Sequence, residues 1–365
     1  MFQRLFAWMN RHERRLSGAA MAAGFTIDQI FFGRVDLWQT QAVFASYVVI
    51  CFLSIALLHA LEARAERGAA QPRWRPLLPF ATQFALGGFW SGFIVFYGRS
   101  AVWGASWPFL LFLALVFLGN EVFKRYHDRL VFTSVLFFFA LYSYAIFALP
   151  VYLSAIGTGV FLGSGLVAIA AFGLFTILLR ILGHARFRAS VWRIRTGALL
   201  VLLLVNIFYF TNILPPLPLA AKSAGIYHAV EKSGDVYIAF AEPHSWYAAP
   251  WRAVFGQVPT LSVVPGASLY AYSAVFAPVA LSTTIVHEWQ RYDATGKQWI
   301  TTSAISFPIA GGRDGGYRGY SVKAALTAGE WRVNVKTADG RLIARVPFFV
   351  KLVSLPPPQE EISLP

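Results

Sequence analysis

The chain has 365 residues, 57% of them hydrophobic and only 13% charged, with a formal net charge of +14. A soluble domain carries about 25% charged residues, so this composition excludes an ordinary water-soluble enzyme. Its 33 Phe and 12 Trp exclude a chain too polar to fold.

Residues 1–16 hold Arg4, Arg11, Arg14 and Arg15. Ser17 to Gly33 is apolar but short, and Asp28 interrupts it. That pattern admits a signal peptide, an interfacial or re-entrant helix, or a membrane span. Six further segments, 39–59, 77–98, 103–121, 130–153, 157–182 and 197–217, each reach the ~20 apolar residues that cross a bilayer. The basic residues between them alternate. Arg64, Arg67, Arg73 and Arg75 share one gap, Lys124, Arg125 and Arg129 another, and Arg180, Arg186, Arg188, Arg193 and Arg195 a third. The intervening gaps hold Arg34 alone, Arg99 alone, and none near Ser154. Short loops rich in Lys and Arg stay cytoplasmic. The alternation therefore implies seven crossings, with 17–33 as the first. It predicts a seven-helix transmembrane domain over 17–217, the N-terminus (1–16) cytoplasmic and everything after Leu217 outside. Nucleic-acid binding needs a basic stripe on a folded face; here the positive charge marks membrane topology, so no nucleic acid is expected.

At Leu214-Pro215-Pro216-Leu217-Pro218 the composition changes, and the prolines are expected to stop the last helix. Alternation at period two dominates from Ala267 onward: Leu269 to Val275, Thr283 to Trp289, Trp299 to Ile309, Tyr317 to Leu326, Glu330 to Thr337, and Leu342 to Leu352. Asp293-Ala294-Thr295-Gly296, the run Gly311 to Gly316, and Asp339-Gly340 read as turns between strands. Residues 220–355 are thus expected to form an all-β antiparallel sandwich, immunoglobulin-like in architecture. Asp235 to Ala241 offers an extra strand, and 356–365 reads as a disordered tail. The single cysteine, Cys51, falls in the second span, so no disulfide can brace the outer domain.

Val275 to Val350 resembles a bacterial family called domain of unknown function 2914. The resemblance rests on Val-Phe-Ala-Pro at 275–278, Ile-Val-His-Glu-Trp at 285–289 and Gly-Gly-Arg at 311–313. It continues with Tyr-Arg-Gly-Tyr-Ser-Val-Lys at 317–323, Gly-Glu-Trp-Arg-Val at 329–333, Asp-Gly at 339–340 and Phe-Phe-Val at 348–350. It implies the C-terminal domain of a multi-pass membrane protein, and offers no catalytic residues to carry over.

Within that stretch His287, Trp289, Arg313, Arg318 and Lys323 are the candidate ligand-binding residues. Arg and Lys could hold a carboxylate, phosphate or sugar acid; the alternative is a buried histidine with cations packed over tryptophans. The glycine run at 311–316 lacks the Gly-Lys-Ser/Thr ending of a nucleotide loop and reads as a hairpin. His228, His244 and His287 share no metal-ligand spacing, so no metal is expected. In the membrane half, Asp28 is the one ionisable residue at bilayer depth. A retinal Schiff base is excluded because the only lysine before residue 215 is Lys124, in a loop; haem is disfavoured because His59, His127 and His184 sit at span ends or in loops. Gly88 and Gly92, and Gly159 and Gly163, have the spacing that lets helices approach closely, within one chain or in a homo-oligomer.

These observations favour a non-enzymatic bacterial inner-membrane protein, without cofactor, that presents a periplasmic β-sandwich to an envelope protein or to an anionic or saccharide ligand. A transporter or channel with an accessory outer domain is one alternative. A membrane-embedded enzyme acting on a lipid-linked substrate, through Asp28, Arg34, Asp36 and Trp38, is another.

Overall fold

The computed structural model describes residues 37–100, 103–122, 130–216, 218–234, 236–243, 258–277, 281–310 and 316–364. Asp28, Arg313 and the apolar segment 17–33 lie outside these residues. The chain divides near residue 217 into two compact units.

The first unit holds six helices among the described residues: α1 Trp38–Ala65, α2 Leu77–Ser100, α3 Trp103–Val122, α4 Leu130–Leu153, α5 Thr158–Leu182 and α6 His184–Phe210. Five of them, all but α3, are long and apolar enough to cross a membrane. Long apolar runs close enough i to i−4 bonds to form helices, and Pro108 of α3 and Pro150 of α4 lie inside them without ending them. Aromatic rings fill the interior. Phe44 of α1 packs against Phe89 and Phe93 of α2 and Phe147 of α4, with ring centroids 5.0–5.6 Å apart. Gly88 of α2 lies under the Tyr47 ring of α1, where a methyl group would collide with the ring, so this glycine serves helix packing within one chain.

The helix ends differ from the sequence expectation. The last helix begins at His184 rather than near residue 197, so Arg186, Arg188, Arg193 and Arg195 are helical. It ends at Phe210, before the prolines are reached. Asn212 adopts a positive φ of 58°. The Ile213 N–H then donates to Phe208 O at 2.9 Å and the Asn212 N–H to Tyr209 O at 3.1 Å. That pair of bonds is a Schellman cap, which satisfies the helix's last carbonyls and turns the chain away.

The second unit is β-rich: β1 Ala220–Tyr227, β2 Ala229–Ser233, β3 Val236–Ala241, β4 Thr260–Val263, β5 Leu269–Phe276, β6 Ser282–Asp293, β7 Gln298–Ala310, β8 Tyr317–Lys323, β9 Gly329–Thr337, β10 Leu342–Leu352 and β11 Glu360–Leu364. These strands make three sheets, ordered β1-β5-β8, β4-β10-β9-β6-β7 and β11-β3-β2. All neighbours pair antiparallel except β4 and β10, which are parallel. The expected two-sheet immunoglobulin-like sandwich is therefore a three-layer arrangement, for a reason visible in β5. Leu269 and Ala271 on one face join a core with Trp289, Trp331, Val333 and Phe348 of the five-stranded sheet. Tyr272 and Ala274 on the other face join Val230, Ala239 and Leu364 of the third sheet. Strand β5 is buried on both faces and must be covered twice. The tail expected to be disordered supplies part of that cover: Glu360 to Leu364 pair with Ala241 to Tyr237, and Leu364 is buried.

Candidate functional site

The candidate residues separate into two environments. On β6 the odd positions Ile285, His287 and Trp289 face the core, and all three are fully buried. His287 Nε2 lies 2.8 Å from Ser273 Oγ of β5, and Nδ1 lies 2.9 Å from Ser321 Oγ of β8. The Trp289 indole N–H donates to the same Ser321 oxygen at 3.0 Å. The Phe307 ring of β7 stands edge-on to His287 at 4.9 Å. Burial pushes the His287 pKa down to about 4, so the ring is neutral at physiological pH. One nitrogen then donates and the other accepts, and both are satisfied whichever tautomer is present. This network bolts the three-stranded sheet to the five-stranded one and has no exposed face. It is a structural device.

Arg318 and Lys323 stand apart on β8. Both lie on β8, paired with Ala274 and Leu269 respectively, and an odd spacing places them on opposite faces of the strand. Arg313 falls outside the described residues.

The other face of the five-stranded sheet assembles residues that do converge. Even positions of β6 and β9 point away from the core, and register places Gln290 opposite Arg332 and Glu288 opposite Asn334. Arg345 of β10 stands opposite Asn334. Asn334 Nδ2 donates to Glu288 Oε2 at 2.9 Å and to Gln290 Oε1 at 3.0 Å. Arg332 Nε donates to Gln290 Oε1 at 2.7 Å, and Arg345 Nε to Asn334 Oδ1 at 2.8 Å. Gln290 Nε2 reaches Thr301 Oγ1 of β7 at 3.0 Å, and Lys336 forms an ion pair with Glu288. The Arg332 guanidinium stacks over Trp299 at 4.1 Å. The result is a continuous polar belt across four strands. Asn334, on the outward side, is nonetheless 1% exposed, because the side chains bonded to it cover it. Burial, and then the positive charge of Arg345, lowers the Arg332 pKa; Glu288 is lowered mainly by its bonds to Lys336 and Asn334, against the effect of burial.

A cleft of about 370 Å³ opens elsewhere in this unit, lined by Ile226, Leu261, Phe348, Ile362, Glu242 and Glu360. Glu242 accepts the Ser262 backbone N–H at 2.5 Å and lies 3.1 Å from His228 Nε2. Among the described residues no three His, Cys, Asp or Glu side chains cluster as metal ligands.

Residues 282–350 match the model of a family described as a protein of unknown function, DUF2914. The match runs from the start of β6 into β10 and contains every residue of the polar belt, but excludes β5 and its Ser273. No curated protein matches the chain. Among solved structures, the Pseudomonas fluorescens alkylpurine DNA glycosylase AlkC bound to DNA containing an abasic site analog matches at 9% identity. That match covers 87% of this chain and 99% of its own, with a TM-score of 0.21. A likeness at that score carries no argument about fold or function.

Proposed function

We propose that this is a multi-pass bacterial inner-membrane protein that holds its β-rich unit in the periplasm, where the outward face of the five-stranded sheet binds an envelope ligand or partner. The observation that carries this reading is the alternation of Lys and Arg between the apolar helices. The clusters at 64–75 and 180–195 fall on one side, and the gap near Ser154, which lacks them, falls on the other.

The helix surfaces support insertion. Leu166, Leu174, Ile181 and Leu200 are 69%, 68%, 73% and 62% exposed. A belt of this kind is an aggregation liability in water and a solvated surface in lipid. The interior supports binding over transport. An ion or proton path needs ionisable groups at bilayer depth, whereas the described helices pack Phe and Tyr at their centre. Glu62 and Arg186, near the ends of α1 and α6, instead pair with each other, and Glu62 also pairs with Arg75 in the turn before α2. Reporter fusions test the topology: a periplasm-dependent reporter is expected to be active when fused at residue 222 and silent near residue 70. The reverse pattern overturns the reading.

A further inference from the structure

Two guanidinium groups on the polar belt are hydrogen-bonded through their inner nitrogens. Arg332 Nε and Arg345 Nε each donate to an amide oxygen, of Gln290 and Asn334 respectively, and a single Asn334–Gln290 hydrogen bond links those two amides. Among the described residues, no side chain hydrogen-bonds the terminal nitrogens of either arginine. The three remaining charges nearby cancel them only in part. Glu288 pairs with Lys336 and also acts on both arginines, so one carboxylate serves three cations. Glu330, two residues before Arg332 on the same outward face, is exposed and forms no ion pair with either arginine. The stack on Trp299 fixes the plane of one guanidinium, so little side-chain entropy is left to lose when a ligand arrives.

We propose that Arg332 and Arg345 form a phosphate site, in which their paired terminal N–H groups receive the oxygens of a phosphate monoester on the outward face of the five-stranded sheet. Two planar forks present parallel donors to its oxygens, and the three cations Arg332, Arg345 and Lys336 outnumber the two carboxylates beside them, Glu288 and Glu330. The assignment deepens the binding role proposed above by naming the ligand chemistry. The phosphate could belong to a lipid headgroup or to a soluble organic phosphate, and the test separates these sources.

The full chain in phosphatidylcholine nanodiscs is titrated with inorganic phosphate and with glycerol 3-phosphate, followed by calorimetry and by ³¹P line broadening. Saturable binding is expected, weakened about tenfold or more by Arg345→Gln and by Arg332→Gln, since a hydrogen bond to a charged group is worth at least that factor. Lys232→Gln, an exposed charge change on the third sheet, is expected to leave binding unchanged. Unfolding traces identify any variant that has lost its fold, and Arg345→Lys, which keeps the charge without the fork, is expected to fall between wild type and Arg345→Gln. Discs containing phosphatidic acid are expected to suppress the soluble signal if the source is a headgroup, and to leave it unchanged if the source is soluble. Absence of binding by the wild type, or folded arginine variants that bind as well as it does, overturns the site. Binding in nanodiscs does not depend on topology, so this result and the reporter fusions fail independently.

Discussion

His287 Nε2 and Ser273 Oγ, 2.8 Å apart and both fully buried, join the middle sheet to the five-stranded sheet through a neutral imidazole. The folded-state pKa of about 4 lies below the unfolded value of 6.5. The unfolded chain therefore takes up a proton, as pH falls below 6.5, that the folded state refuses until about 4. The stabilisation is complete above pH 6.5 and is lost towards pH 4. Linkage puts the loss between pH 7 and pH 5 at about 2 kcal/mol. Calorimetry of the purified chain should show this fall in the β-rich unit, and His287→Gln should flatten it.

Ser321 serves two donors or acceptors at once, the Trp289 indole and His287 Nδ1. Ser321→Ala strands both inside the core. A buried polar group left unpaired costs about 1–3 kcal/mol, so a loss of about 2–4 kcal/mol is expected in denaturant unfolding followed by tryptophan fluorescence. A loss below ~1 kcal/mol would show that the network is not the bolt described here.

Gly319 lies beneath the Phe307 ring, and an added methyl group would collide with the ring. Overpacking of this kind costs about 1–3 kcal/mol. Gly319→Ala should be destabilising, and Phe307→Leu should recover part of the loss in the double variant. Additive effects in that cycle would mean that the two positions do not touch.

In the helical unit, Gly88 is covered by Tyr47. Gly88→Val should separate α1 from α2 and lower the thermal stability of the detergent-solubilised chain. Tyr47→Ala should make room and restore part of it. If Gly88→Val changes the oligomeric state and leaves the monomer's stability alone, the glycine belongs to an interface between copies instead.

The helices are legible in the sequence because a long apolar run has few other structures available to it. Their ends are less so. Arg186 to Arg195 look like a loop by charge, yet they extend α6, since arginine is a good helix former whose long side chain can reach polar surroundings from a helix end. The third sheet is hidden for a different reason. Tyr270 and Tyr272 read as the polar phase of an alternating strand, but a tyrosine ring buries as readily as a leucine when its hydroxyl can find a polar neighbour. The stretch Glu360 to Leu364, after three prolines, looks like a tail by composition, although Ile362 and Leu364 already alternate.

The polar belt leaves no mark in any single window of the sequence. Glu288, Gln290, Thr301, Arg332, Asn334 and Arg345 sit on four strands, and only register brings them together. His287 and Trp289 attract attention because rare residues stand close in sequence. Their odd positions on β6 send them inward, whereas their even neighbours Glu288 and Gln290 join the polar belt on the outward face. A strand's phase, which one buried residue fixes, separates the two roles.

Strand β11 meets β3 from more than a hundred residues further along the chain. The hairpins β6–β7 and β9–β10 close between near neighbours and can form while synthesis continues. During that interval β3 has a partner on one side only, and an open edge is a template for any other extended chain. A nascent copy that stalls before residue 360 would leave that edge bare, with Val230 and Tyr272 uncovered beside it, so quality control of this protein should act most strongly on chains that lack residues 360–364.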